Sequence, residues 1–181
     1  MAEVFSNAQI RAAGVTTSSS GGAIGITTNK ITGVSTAGVS TGYTVDNSNY
    51  IMGTQVSGYG AATGEIVVDR DSTNTGAASN QTVKFLGPTT AFTSPAATKS
   101  ILIGGTFANN TVNEINVSVG LWDNTAGTEA AIAQKIPVPQ GSSFVISDTG
   151  KVLLEGDDAI RVYCDVDNAV DVNLSILRGV N

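Results

Sequence analysis

The stretch KVLLEGDDAIRVYCDVDNAVDVNLSIL, residues 151–177, decides the fold class because apolar and polar side chains alternate along it. Ile160, Val162 and Cys164 alternate with polar residues, and the same alternation resumes from Val170 to Ile176. Successive side chains of a strand point to opposite faces of a sheet, so each segment predicts a strand with one buried face. The intervening DVDN (165–168) is typical of a tight turn, since Asp and Asn side chains bond their own backbone. The pattern therefore predicts a β-hairpin.

The same alternation continues upstream of this stretch. Residues 115–121 alternate apolar and polar, and Ile101 and Ile103 lead in the same way to Phe107. With residues 131–136 and 144–146, this predicts seven short strands between residues 98 and 181. Short strands at such regular spacing are typical of an antiparallel β-sandwich, and we expect one that resembles a jelly roll.

Composition favours β structure along the whole chain. Only 13% of residues are charged and there are 21 glycines, while helix-forming residues are few and Val, Ile and Thr are frequent. We expect an all-β protein with an N-terminal arm (1–13), a smaller Gly/Thr/Ser-rich β domain (14–97) and the sandwich domain (98–181). VTTSSSGG (15–22) is interpreted as linker or turn, and the Pro-containing segment 87–95 as the joint between the domains.

The N-terminal arm carries three large apolar residues, Val4, Phe5 and Ile10. One interpretation is a first edge strand or a frayed terminus, and the other is an arm that docks on a neighbouring subunit. On the docking hypothesis, deletion of residues 1–13 would abolish attachment and leave folding intact.

Charge and cysteine content exclude several classes of partner. The formal net charge is −6 and the nine basic residues are scattered singly, which does not favour nucleic-acid binding. No apolar run has the length of a membrane-spanning helix, and the N-terminus lacks a signal-peptide pattern. With Cys164 as the single cysteine, no intrachain disulfide is possible, and synthesis in a cytoplasm is expected.

The residue inventory does not favour an enzyme. There is no histidine, the usual general base near neutral pH. Paired aspartates at 69 and 71, 157 and 158, and 165 and 167 lie at expected turns, and Cys164 shares the phase of the buried strand residues. We expect no catalytic, cofactor-binding or metal-binding residues and no cofactor.

Four aromatic residues are candidates for sugar stacking or for interfaces: Tyr43, Tyr50, Tyr59 and Trp122. Jelly rolls host many functions, so a carbohydrate-binding module stays open as an alternative. An exposed coplanar pair would favour it, and burial of all four would exclude it.

Three motifs in the second half resemble small virion structural proteins of tailed bacteriophages, particularly those of marine cyanophages. They are KSILIGGTFAN (99–109), KIPVPQGSSFVI (135–146) and KVLLEGDDAIRVYCD (151–165), which is followed by VDVNLSIL. The resemblance covers residues 98–181.

The resemblance implies a non-enzymatic particle component, with no functional residues to carry over. It implies a capsid decoration or cement protein on the outer head, made in the host bacterial cytoplasm and located in the virion. Its expected partners are further copies of itself, as a homotrimer by analogy, and the major capsid protein. The alternatives are a neck, tail or fibre-attached virion protein, or a carbohydrate-binding module used in host attachment.

Overall fold

A computed structural model describes residues 3–13, 15–147 and 151–180, which form strands and no helix. No helix able to span a membrane occurs among them. The strands, in chain order, are β1 (Val4–Ala13), β2 (Val15–Ile24), β3 (Lys30–Thr32), β4 (Thr44–Asp46), β5 (Val56–Tyr59), β6 (Ile66–Val68), β7 (Ala78–Gly87), β8 (Thr89–Thr93), β9 (Lys99–Asn109), β10 (Ile115–Asp123), β11 (Thr128–Val138), β12 (Ser143–Ile146), β13 (Val152–Leu154), β14 (Ala159–Cys164) and β15 (Val170–Val180).

The chain divides into two compact units. The larger consists of Met1–Gly14, Pro88–Cys164 and Asn168–Asn181, and the smaller of Val15–Gly87 with Asp165–Asp167. Because the larger unit contains both β1 and β8, the smaller unit is inserted between its first and second strands. The expected boundaries therefore differ from the structure: β1 is a strand of the larger unit, and residues 88–97 also belong there. Residue 14, the expected start of the second domain, lies outside the described residues.

The larger unit is a jelly roll. One sheet has the order β1-β15-β9-β12, with β13 also paired to β9, and the other has the order β11-β10-β14-β8. In this unit β1 pairs with β15, β8 with β14, β9 with both β12 and β13, and β10 with β11. In chain order, the first strand therefore pairs with the last, the second with the second last, and so on inwards. These nested antiparallel pairs, distributed over two sheets, form a rolled β-sandwich. The all-β, jelly-roll-like prediction is confirmed.

The predicted hairpin between residues 159 and 177 is wrong, although both of its strands exist. β14 pairs with β10 and β8, whereas β15 pairs with β1 and β9, so the DVDN segment connects two sheets. Asn168 has a φ of 52°, as expected of a turn residue. Alternation predicts that each strand buries one face. It does not distinguish two strands paired in one sheet from two strands in facing sheets, because each strand buries one face in both arrangements.

The inserted unit has one six-stranded sheet in the order β4-β7-β2-β3-β6-β5. VTTSSSGG, interpreted as a linker, forms most of β2, which pairs with β7 and β3. Pairing on both sides satisfies the backbone of a segment whose small polar side chains gave no strand signal. Residues of this unit with no exposed surface include Ile31, Ile66 and Phe85.

Candidate docking surface

β1 is an edge strand of the five-stranded sheet. It pairs with β15 from Val4 opposite Arg178 to Ala13 opposite Val170, with an irregularity between Ile10 and Ala13. This position corresponds to the interpretation of the arm as a first edge strand. The docking hypothesis stays a prediction, and it now concerns a strand that also completes the fold.

The three candidate docking residues do not share a face. Phe5 lies on the outer face and is 75% exposed. Val4 and Ile10 lie on the other face, because alternate residues of a strand point to opposite sides. Ile10 is half-buried opposite buried Val172, whereas Val4 is exposed.

Phe5 begins a row of four apolar side chains across the outer face. In the sheet register Phe5 lies opposite Leu177, Leu177 opposite Ile101, and Ile101 opposite Leu153. Directly opposed residues lie on the same face of a sheet, so the row spans β1, β15, β9 and β13. Its ends are exposed, with Leu153 at 48%, and its two middle residues are half-buried. We call these four residues the apolar row.

An irregularity in β9 places Ile101 in the apolar row. The register between β9 and β15 shifts between Leu102 and Gly104. Before the shift Leu102 is buried and Ile101 half-buried, whereas after it Phe107 is buried. A β-bulge inserts one extra residue and so changes which face the following side chains take. The continuous alternation predicted from Ile101 through Ile103 to Phe107 is therefore interrupted.

Polar groups surround the apolar row. At one end Lys99 Nζ and Glu155 Oε1 form an exposed ion pair at 2.9 Å. Further along the same face, the register places Gln9 opposite Asn173 and Asn173 opposite Thr106. An exposed apolar patch with a polar border is characteristic of a protein-binding surface.

Two of the three candidate aromatics of the inserted unit are buried or packed on its core, and the third is exposed. Tyr50 is 6% exposed, its hydroxyl donates towards the Thr28 carbonyl at 3.3 Å, and burial raises its pKa to about 12. Tyr43 packs against the hydrophobic core of its unit. Tyr59 is 52% exposed, and its hydroxyl donates to the Val39 carbonyl.

Trp122, in the jelly roll, is covered by a charged side chain. The Arg161 guanidinium carbon lies 3.8 Å from the ring centroid of Trp122. Glu129 Oε2 lies 3.5 Å from Arg161 Nη1 and accepts a 2.8 Å hydrogen bond from the Tyr163 hydroxyl. Burial and this hydrogen bond raise the pKa of Tyr163 above its usual value. This network connects β10, β14 and the start of β11.

Two of the aspartates and the cysteine that were considered for chemistry bond to backbone amides or are buried. Asp158 is buried and accepts hydrogen bonds from the Asn124 and Glu155 amides at 3.0 and 2.9 Å. Asp69 Oδ1 accepts one from the Gln55 amide at 2.8 Å, and Cys164 is buried. Within the described ranges, no three or more His, Cys, Asp or Glu residues group together in a way that could hold a metal ion.

Comparison with known proteins finds no matching protein-family model, no curated protein of similar sequence and no similar solved structure. What the surface does must therefore be inferred from its own side chains. Sequence reasoning found Phe5 but missed Leu177, Ile101 and Leu153, because the apolar row depends on the register of four strands. The sequence did contain a local signal for Leu153, which lies between Val152 and Leu154. Because side chains alternate along a strand, three consecutive apolar residues cannot all face the core.

Proposed function

We propose that this chain is a non-enzymatic structural component of a tailed-phage virion, a decoration protein of the outer capsid surface. It is made in the host bacterial cytoplasm and attaches to the major capsid protein through the apolar row. The observation that carries the proposal is the exposure of Phe5 and Leu153 at the two ends of that row. A large exposed apolar side chain is costly in water and useful in an interface.

Two further observations support this function. The three motifs that resemble phage virion proteins contain β9, the end of β11, β12, β13 and β14, so they all lie in the jelly roll. The formal charge of −6 suits an outer surface and disfavours contact with packaged DNA.

The carbohydrate-binding alternative is weaker than the structural one. A stacking platform needs a free aromatic face, yet Tyr50 is buried, Tyr43 packs on a core and Arg161 covers Trp122. Tyr59 alone of the four is exposed. Single exposed aromatics are common on protein surfaces and indicate no site.

The number of copies per particle tests the function. Quantitative mass spectrometry of purified virions should give a ratio to the major capsid protein within a few-fold of one. A ratio of a few per cent would transfer the chain to the neck, tail or fibres. Absence from the particle would contradict the structural role.

Substitutions in the apolar row test the attachment surface. Phe5→Ser combined with Leu153→Ser should release the chain from particles without lowering its own stability, because both side chains are exposed. Val112→Ser is the matched control, since Val112 is 74% exposed in the turn between β9 and β10 and lies outside the row. Equal retention of both variants in a particle co-sedimentation assay would exclude the apolar row as the attachment surface.

A further inference from the structure

The free edge of β1 lacks the features that normally prevent strand pairing. Val4–Ile10 is regular and contains no charge, no proline and no bulge, and no other described strand pairs with its outer edge. Natural proteins protect exposed edges with short strands, lysine, proline or bulges, because an unpaired edge is a template for another strand.

The other sheet edges of the described chain do have such protection. β4, β5, β8, β12 and β13 are each five residues or shorter. β11 is long, but it carries Lys135 and Pro137, and its pairing with β10 is irregular at two places. β1 is thus the long unprotected edge.

The sequence of β1 with its flanking residue is complementary to itself. EVFSNAQIR (3–11) is arranged around Asn7 so that an antiparallel copy places Glu3 opposite Arg11 and Val4 opposite Ile10. We propose that β1 pairs antiparallel with β1 of a second copy of this chain, about a two-fold axis at Asn7. An isologous contact of this kind brings the same surface of both partners together.

Charge and face both agree with this register. Opposite charges across a strand pair are favourable and like charges are unfavourable. Glu3 and Arg11 are both exposed, and neither has an ion-pair partner among the described residues. The register also pairs even-numbered with even-numbered residues, so Ser6 meets Ala8 on the inner face. Phe5 meets Gln9 on the outer face.

The proposed contact joins two five-stranded sheets into one sheet through the sequence β9-β15-β1-β1-β15-β9. It uses the edge of β1, whereas the particle contact uses the outer face. The inference therefore goes beyond the proposed function and holds or fails independently of it. It predicts a dimer, in contrast to the trimer that the resemblance implies.

Cysteine cross-linking tests the register in the purified full chain. Directly opposed residues of antiparallel strands have Cα atoms about 4.5–5.5 Å apart, within disulfide range. Asn7→Cys should therefore form an intermolecular disulfide on mild oxidation, while buried native Cys164 stays reduced. Ser175→Cys is the control, since Ser175 lies opposite Asn7 on β15 and is likewise exposed. In the proposed dimer, the introduced thiols of this control would be roughly three strand spacings, about 14 Å, apart.

A charge exchange tests the same register without a covalent bond. Glu3→Arg or Arg11→Glu alone should weaken dimerisation roughly three- to tenfold, because each puts like charges opposite each other twice per dimer. The double variant should restore dimerisation. Light scattering should give the wild type twice the chain mass of 18.3 kDa.

Each contrary result overturns the proposal. A monomer at millimolar concentration excludes self-pairing, and a mass of three chains excludes the two-fold. Equally efficient cross-linking of the Ser175→Cys control would show that the dimer does not form through β1. A dimer whose affinity is unchanged by the charge exchange would exclude the proposed register.

Discussion

β1 and β11 are the two long edge strands of the jelly roll, of ten and eleven residues, and they differ in what lies along their free edges. β11 carries a lysine, a proline and two register irregularities, while β1 is regular and uncharged from Val4 to Ile10. Each strand is paired on one side only, β1 with β15 and β11 with β10. The difference indicates that one edge is closed against further strands and the other is open to them.

The largest expected effect comes from removing β1. Deletion of residues 3–13 exposes the edge of β15 and removes a ladder that runs from Val4 to Ala13, so we expect a loss of at least about 4 kcal/mol of unfolding free energy. Urea denaturation measures it. A peptide of residues 3–13 added in trans should restore part of the loss by strand addition. An unchanged midpoint would instead support the docking-arm interpretation, in which deletion leaves folding intact.

The second effect concerns the turn that leads into β11. Asp158→Ala leaves the Asn124 and Glu155 amides without their acceptor, which should cost about 2–4 kcal/mol of unfolding free energy. Asp158→Asn keeps one acceptor oxygen and should cost about half as much. Thermal or urea unfolding of the three proteins gives the comparison. Equal stability of the alanine variant and the wild type would show that Asp158 does not hold this turn.

The third effect concerns the irregular end of β1. Asp171 Oδ1 accepts hydrogen bonds from the Ala12 amide at 2.8 Å and from Asn110 Nδ2 at 3.3 Å. Ala12 has a φ of 53°, which an alanine adopts only at a cost. Asp171→Ala should therefore lower the unfolding free energy by about 1–2 kcal/mol, and Asp171→Asn should lower it less. Stabilisation by the alanine variant would contradict this role.

The smallest effect is a pH dependence at the start of β11. Burial and the hydrogen bond to Glu129 raise the pKa of Tyr163, so the folded state keeps the phenol proton that the unfolded state loses near pH 10. The contribution of Tyr163 is complete below that pH and decreases as pH rises above it. Tyr163→Phe should be less stable than wild type at neutral pH, by up to about 1 kcal/mol.

Above pH 10 this difference should shrink and then reverse. Tyr50, whose pKa is also raised, titrates in both proteins and cancels in the comparison. Unfolding measurements at pH 8 and pH 11 suffice. A constant difference between the two proteins would show that the Tyr163 hydrogen bond does not couple to its ionisation.

The fold class could be predicted from sequence because alternation reports which side of a strand is buried. The alternation at Ile160–Cys164 and Val170–Ile176 identified two strands and a turn correctly. It did not identify their partners, because β14 and β15 each bury one face whether they pair together or lie in separate sheets. The nested order of the jelly roll depends on contacts between residues far apart in the chain.

Strand β2 of the inserted unit and the apolar row escaped prediction for related reasons. VTTSSSGG lacks apolar alternation, so its strand is specified by β7 and β3 and not by its own residues. Ile101 lies on the outer face because β9 is irregular between Leu102 and Gly104, and the alternation in the sequence did not indicate this irregularity. Phe5 was predicted as a candidate docking residue because it is apolar, and the other residues of the apolar row follow from register alone.

Hydrogen exchange tests most directly the claim that β1 is the open edge and β11 the closed one. Amide exchange of residues 3–13 and 128–138 should be followed by mass spectrometry across a wide range of protein concentration. As concentration rises, exchange should slow within Val4–Ile10 and stay constant in β11. Protection that grows in β11, or in neither strand, would contradict the claim.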